Sequence, residues 1–283
     1  MKKVILLGLL GLSICVRAQV KLPYQIFNSN GKKTNYGKMI KAISGADIVM
    51  FGELHNNSIA HWLELEVAKD LAAKRSLVFG AEMFETDNQE ALTAYVQGKI
   101  SAKGLDSSAR LWKNYPTDYA PIVNFAKQQN LFFAATNVPR RYASLVAKGG
   151  FAALDTLPNI QKAWMPPLPI AYDSTLPGYT KMIEMMKGHG GSNLPKAQAL
   201  KDATMAYNIL KYRTEGSLFL HYNGSFHSEN HDGICWYLWQ KQPTLKILTI
   251  TIVTQKELDK MEAEHRNTAD FIIVVDEDMT NTY

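Results

Sequence analysis

Short apolar runs bounded by polar or glycine residues recur along the chain. They span Asp47 to Phe51, Ser76 to Phe79, Leu131 to Ala135, Ser217 to His221, Leu245 to Val253 and Phe271 to Val275. Runs of this length without polar alternation predict strands buried on both faces. Between them, apolar residues fall at helical spacing: Ile59, Leu63, Val67 and Leu71; Ile122, Phe125 and Ala126; Leu200, Ala203, Tyr207 and Leu210. Parallel neighbours need crossovers long enough to hold a helix, so this alternation predicts an α/β fold with a mainly parallel β-sheet flanked by helices.

One connection is longer than a crossover needs. Residues 164–193, between the third and fourth of these strands, hold Pro166, Pro167, Pro169 and Pro177 and then Lys187-Gly188-His189-Gly190-Gly191-Ser192. Trp164, Tyr172, Tyr179 and several methionines give this segment something to bury. It therefore reads as a helical or loop lid insertion rather than a disordered surface loop.

In open α/β sheets ligands bind beyond the carboxyl ends of the strands, which makes the residues there the ones to inspect. The first run is followed by Gly52-Glu53-Leu54-His55-Asn56-Asn57, the second by Gly80-Ala81-Glu82, the third by Thr136-Asn137 and the fourth by Tyr222-Asn223-Gly224-Ser225-Phe226-His227. His55, Glu82 and His227 with Glu53 are the predicted site. Neutral imidazoles and a carboxylate can hold a divalent transition metal, with His55, Glu82 and His227 as ligands and Glu53 as a fourth ligand or general base. The same residues without metal can perform general acid/base work. His55 and His61 are six apart and so do not share a helical face, which leaves His61 either behind the site or an ordinary first-turn histidine. No phosphate-binding glycine loop, Gly-x-Ser-x-Gly elbow or cysteine metal knuckle is present.

The amino terminus changes the charge picture. Met1-Lys2-Lys3, the apolar stretch Val4 to Leu12 and then Val16-Arg17-Ala18 follow the succession of a secretory signal peptide. The stretch is shorter than the roughly 20 residues of a membrane span. Residues 1–18 are expected to be removed, leaving a domain over 19–283, with lipidation of Cys15 disfavoured by Ile14 before it. The formal charge of +5 then falls to +2, because Lys2, Lys3 and Arg17 leave without any acid. A surface so nearly balanced, with no basic stripe, argues against nucleic acid as a partner. One cysteine, Cys235, remains within Ile234-Cys235-Trp236-Tyr237-Leu238, so no intramolecular disulfide can form, and it reads as a small buried apolar residue.

The strand-end motifs carry a resemblance as well. Gly52-Glu53-Leu54-His55 followed by His61, Gly80 to Glu85, Trp112-Lys113-Asn114-Tyr115-Pro116 with Tyr119, Thr136 to Arg140 and Asp202 to Ala206 occur in the order seen in the ChaN family. The chain resembles these haem-binding, iron-regulated proteins over nearly its whole mature length. That family looks like a branch of a wider group that includes Tiki metalloproteases and erythromycin esterases. Two Gly-x-x-His motifs and a Glu are the group's shared core, and they match Gly52 to His55, Gly224 to His227 and Glu82. Around Gly224 the chain is bulkier than the family's usual glycine-rich sequence.

The resemblance implies haem binding in ChaN relatives and metal-dependent or acid/base hydrolysis in the others. Haem needs an apolar surface and an axial ligand, and His, Tyr and Met are the usual protein donors. Within the insertion His189 and Tyr179 are the expected cofactor-binding residues. The resulting expectation is an exported protein of the periplasm or outer membrane that binds haem and takes part in haem and iron uptake. The alternative is a metal-dependent hydrolase of esterase or peptidase type using His55, Glu82 and His227. Haem or another small molecule, the outer-membrane haem-uptake machinery and a second copy in a homodimer are the partners to test.

Overall fold

The computed structural model describes residues 21–185, 191 and 193–283. The expected signal peptide 1–18 and His189 lie outside the described residues. Eight strands form one sheet: β1 (Tyr24–Asn28), β2 (Lys33–Thr34), β3 (Ile48–Glu53), β4 (Leu77–Glu85), β5 (Phe133–Asn137), β6 (Leu218–Gly224), β7 (Ile247–Gln255) and β8 (Phe271–Asp276). Their order is β2-β1-β8-β7-β3-β6-β4-β5. From β8 to β5 every pairing is parallel, while β1 runs antiparallel to both β8 and β2. The mainly parallel sheet is as expected, and β1 and β2 add an antiparallel edge that the apolar runs did not announce.

The helices α1 (Tyr36–Ile43), α2 (Ser58–Ala72), α3 (Gln89–Val96), α4 (Ala102–Ser108) and α5 (Ala120–Gln128) precede β5, and α6 (Arg140–Gly149), α7 (Asn159–Lys162), α8 (Pro177–Met185), α9 (Leu194–Tyr212) and α10 (Ile234–Lys241) follow it. All of β3 is buried, and its side chains divide between two cores. Val49 and Phe51 pack with Leu63 and Val67 of α2 and Ile122 of α5, whereas Ile48 and Met50 pack with Met205 and Ile209 of α9 and Leu238 of α10. The sheet is thus the middle of three layers, which is why the runs lack polar alternation. Cys235 is buried in the second core. No helix among the described residues is long and apolar enough to cross a membrane.

Strand order places the site. The chain runs outward from β3 to β4 and β5, then returns to insert β6 between β3 and β4, and crosses to β7 on the other side of β3. Glu53 pairs with Gly224 in this register, so the two Gly-x-x-His segments leave the sheet side by side. The insertion is partly helical: α8 lies within it, and Trp164, Met165 and Leu168 join a smaller core with Tyr142 of α6 and Leu200 of α9.

Candidate functional site

Glu53, Glu82 and Gly224 belong to the last turns of the pleat of β3, β4 and β6 rather than to loops after them, so their carboxylates and backbone sit on the rigid sheet. His55 follows β3. Its Nδ1 donates to Glu53 Oε1 at 2.7 Å, and the Tyr119 hydroxyl donates to the same oxygen at 2.9 Å. Because Nδ1 carries the proton, Nε2 presents its lone pair, and no described residue hydrogen-bonds to it. The ring meets the edge of Trp112 at 4.9 Å between centroids and is 38% exposed. On its other side it packs on Gly224, where a Cβ would stand 2.8 Å from both Cε1 and Nε2. Only glycine leaves room for the imidazole there.

His227 is buried instead. Its Nδ1 lies 2.5 Å from Asp202 Oδ1 and its Nε2 lies 3.1 Å from Glu82 Oε1. Glu82 Oε2 accepts from the Gly224 amide at 2.8 Å, which ties β4 to β6 through the site. Burial alone would push the His227 pKa down, but Glu82 and Asp202 outweigh it and raise it to about 9. Burial likewise opposes ionisation of Glu82, and the adjacent His227 reverses that, holding the carboxyl well below its ordinary value. At neutral pH this is an imidazolium clasped by carboxylates, with both ring nitrogens committed.

A third group lies beneath His55. His61 Nε2 donates to the His55 carbonyl at 3.1 Å, and its Nδ1 lies 3.1 Å from Glu64 Oε2 and 3.2 Å from Glu53 Oε2. Burial and then the Glu64 charge raise Glu53 to about 7, against the lowering effect of His55 and His61, and burial raises Glu64 well above the ordinary carboxylate range. Asn114 donates to Asp118 at 2.7 Å and to the His55 carbonyl at 3.2 Å, while Thr282 also donates to Asp118.

The structure places His55, Glu53, Glu82 and His227 at one edge of the sheet, as two units rather than one ligand set. Among the described residues, the imidazole and carboxylate groups with ligand atoms mutually within 4.8 Å are Glu53, His61 and Glu64, and the surface group Glu262, Glu264 and His265. His55, Glu82 and His227 do not form such a group. Tyr179 of α8 is buried, and its hydroxyl donates to Asp202 Oδ2 at 2.9 Å. Asp202 and Glu64 went unassigned in the sequence because each sits within an amphipathic helix, where a carboxylate reads as solvated. The available clues were the apolar neighbours of Glu64 in Leu63-Glu64-Leu65 and the place of Asp202 at the head of the Asp202 to Ala206 motif.

A cleft of about 950 Å³ is walled by Leu111, Trp112, Asn114 and Tyr283 and rimmed by Arg110, Lys113, Arg140 and Arg141; His55 does not line it but lies behind its wall, against Trp112 and Asn114. Arg110 is held by Glu85 and Asp87, and Arg141 pairs with Asp87 at 2.8 Å while lying over the Tyr142 ring. Four basic side chains against the two carboxylates that pair with them, Glu85 and Asp87, leave the rim positive.

A family described as "Haem-binding uptake, Tiki superfamily, ChaN" matches residues 39–238. Among solved structures, ChaN of Campylobacter jejuni, described with cofacial haem binding, aligns at a TM-score of 0.67 with 18% identity, over 89% of this chain and 96% of that one. A succinoglycan biosynthesis protein aligns at 0.52 with 14% identity, over 77% and 69%. The type III effector HopBA1 aligns at 0.51 with 13% identity, over 84% and 91%. These three show a shared fold. No protein of curated function matches the chain.

Proposed function

This chain belongs to the ChaN family of the Tiki superfamily, described as haem-binding uptake proteins, and from that membership we propose that it binds haem in the basic cleft beside His55. The cleft is the observation that supports this seat. A porphyrin is a flat apolar body bearing two carboxylates, and here an aromatic and aliphatic wall stands under a rim of arginines and a lysine. The volume falls in the range of about 300–1,000 Å³ usual for ligand sites. His55, behind Trp112 of the cleft wall, is the nearest imidazole to compare as axial donor: Nε2 has no hydrogen-bond partner among the described residues, and Nδ1 is fixed by Glu53, the arrangement in which an outer carboxylate orients a ligating imidazole and raises its basicity. Tyr179 would have to release Asp202 to serve, and His189 is the other donor to compare.

Titration with hemin tests the reading. A saturable Soret band is expected, lost or shifted by His55→Ala and weakened roughly tenfold by charge reversal at Arg140 and Arg141, more so at low salt. A band that ignores these changes and responds only to His189→Ala or Tyr179→Phe would remove haem from this cleft. Absence of any saturable band would remove haem binding altogether.

The uptake role extends the proposal: export through residues 1–18, residence in the periplasm or at the outer membrane, and delivery to haem-uptake machinery. Recovery from the periplasmic fraction of a chain beginning at Gln19 is the expected result. The cofacial haem binding of the C. jejuni protein makes a homodimer with paired haems the arrangement to look for, by mass measurement with and without hemin.

One observation favours a second reading, hydrolysis. The Nε2 of His55 has no hydrogen-bond partner among the described residues, and with Glu53 and Tyr119 behind Nδ1 the part-exposed ring can serve as a general base on the Gly224 side of the site. His55 would take a proton from attacking water with Glu53 stabilising the imidazolium. A metal-dependent version requires His55, Glu82 and His227 to converge, and His227 to give up a carboxylate. Turnover of an ester or peptide panel that vanishes in His55→Ala would establish this activity, and no turnover would exclude it for those substrates.

A further inference from the structure

We propose that Glu53, His61 and Glu64 form an internal site for one divalent transition-metal cation, beneath His55 and separate from the Glu82 and His227 pair. The tautomer of His61 carries the argument. A backbone carbonyl can only accept, so the 3.1 Å contact to the His55 oxygen assigns a proton to Nε2. On a neutral ring Nδ1 then directs a lone pair at two carboxylates, Glu64 Oε2 at 3.1 Å and Glu53 Oε2 at 3.2 Å. Three electron-rich atoms facing one another repel unless something positive lies among them.

Two further observations point to a cation. Glu53 Oε2 and Glu64 Oε1 are buried and make no hydrogen bond, although both side chains are wholly inaccessible. Charge is short as well: Glu53, Glu64 and Asp118 share the imidazoles of His55 and His61, and among the described residues no Lys or Arg pairs with any of them. Buried carboxylates without such compensation are costly.

The dimensions fit. Metal–nitrogen and metal–oxygen bonds of about 2.0–2.2 Å place neighbouring ligands about 3.0–3.5 Å apart in tetrahedral or octahedral geometry. The observed separations from His61 Nδ1 lie in that interval, and all three donors fall within 4.8 Å of one another. The Nε2–H donated to a carbonyl is the usual outer contact of a metal-binding histidine. One imidazole and two carboxylates suit a borderline or hard divalent transition ion. Asn114 and Thr282, which both line the cleft, both donate to Asp118, whose Oδ2 lies 3.4 Å from His61 Nε2.

Such a cation would draw on Glu53 through Oε2 while Oε1 still holds His55 and Tyr119, so it tunes the imidazole without touching a ligand in the cleft. The test uses the full chain stripped with chelator and titrated with Co²⁺, Zn²⁺ or Mn²⁺ alone. One equivalent is expected, with a Co²⁺ visible spectrum of nitrogen and oxygen ligation and a rise in Tm. Glu64→Gln, which keeps shape and removes charge, should weaken binding at least ~100-fold, since outer contacts alone are worth 10–100-fold. His61→Ala should abolish the spectrum. Should Glu64→Gln fail to fold, the stoichiometry and spectrum of the unaltered chain decide. No stoichiometric binding overturns the proposal and leaves a proton as the shared charge. Binding that survives Glu64→Gln but is lost in Glu82→Gln or Glu262→Gln overturns it in favour of another site. Hemin affinity is read separately, so failure here leaves the haem reading standing.

Discussion

His227 sits in nearly complete burial with Asp202 on one nitrogen and Glu82 on the other, and the Gly224 amide completes the Glu82 carboxylate. A buried ion pair of this kind contributes to stability mainly by what its rupture would cost. The folded pKa of about 9 exceeds the ordinary 6.5, so its stabilisation is fully present below about pH 6.5 and disappears as pH rises through 9. Glu82 has the opposite sign, its contribution being present above its ordinary value of 4.5 and lost in acid. Urea unfolding at fixed salt should therefore lose on the order of 3 kcal/mol between pH 6.5 and 9.5. His227→Gln should flatten that slope, and an unchanged slope would mean that His227 is neutral in the fold. His227 and Glu82 were legible because glycine motifs and strand ends mark them. Asp202 was not, because its helix shows an exposed Tyr207 alongside buried Ala203 and Ile209, and periodicity alone does not say that the face holding Asp202 turns inward.

Strands with continuous apolar runs, β3 to β8, were legible because burial on both faces leaves no polar interruptions. β1 and β2 were not, since in Tyr24-Gln25-Ile26-Phe27-Asn28 only Ile26 and Phe27 form an apolar pair, too short a run to mark a strand, and β2 is two residues long. The strands also reach further than the apolar runs: Glu53 continues the ladder opposite Gly224, and Glu82 lies within β4 where its register with β5 shifts, both carboxylates finding partners in the site. The connection after β6 depends on one backbone position. Gly233, ahead of α10, has φ +54° and ψ −115°, a conformation open essentially to glycine, and a Cβ there would lie 2.5 Å from the His227 carbonyl oxygen and 3.2 Å from Asp202 Cγ. Gly216 provides the comparison, with φ +77° and open space around it. Gly216→Ala should cost about 1–2 kcal/mol, the strain of left-handed backbone alone. Gly233→Ala should cost more than about 3 kcal/mol, because strain adds to overpacking against backbone that cannot yield. Thermal unfolding of both variants checks the ordering, and equal losses would mean that the 225–233 connection relaxes freely.

At the scale of the whole molecule, Asp202 joins the sheet edge to the insertion. Its two oxygens divide between His227, which follows β6, and Tyr179, which belongs to α8, while α9 carries the carboxylate itself. The insertion has few other polar ties near this point: the Gly178 amide donates to Asp232 and Tyr237 donates to the Ala171 carbonyl. The charge that holds the buried imidazolium therefore also holds the helix above it, and the two should respond together. Asp202→Asn keeps the side chain's shape and removes the charge. With hydrogen bonds to charged groups worth about 1.5–3 kcal/mol, amide exchange across α8 should quicken roughly tenfold to hundredfold. Over the same pH series the unfolding slope assigned to His227 should shrink, because one of its two carboxylates has gone. Exchange in β3 and β6 should stay slow, since both strands are buried in the centre of the sheet away from α8. If α8 exchange is unchanged while the slope shrinks, Asp202 serves the imidazolium alone. In that case the insertion is held by its own apolar contacts, Trp164 and Met165 against Tyr142 and Leu200, and the cover over this end of the sheet stands independently of the charge state of the site.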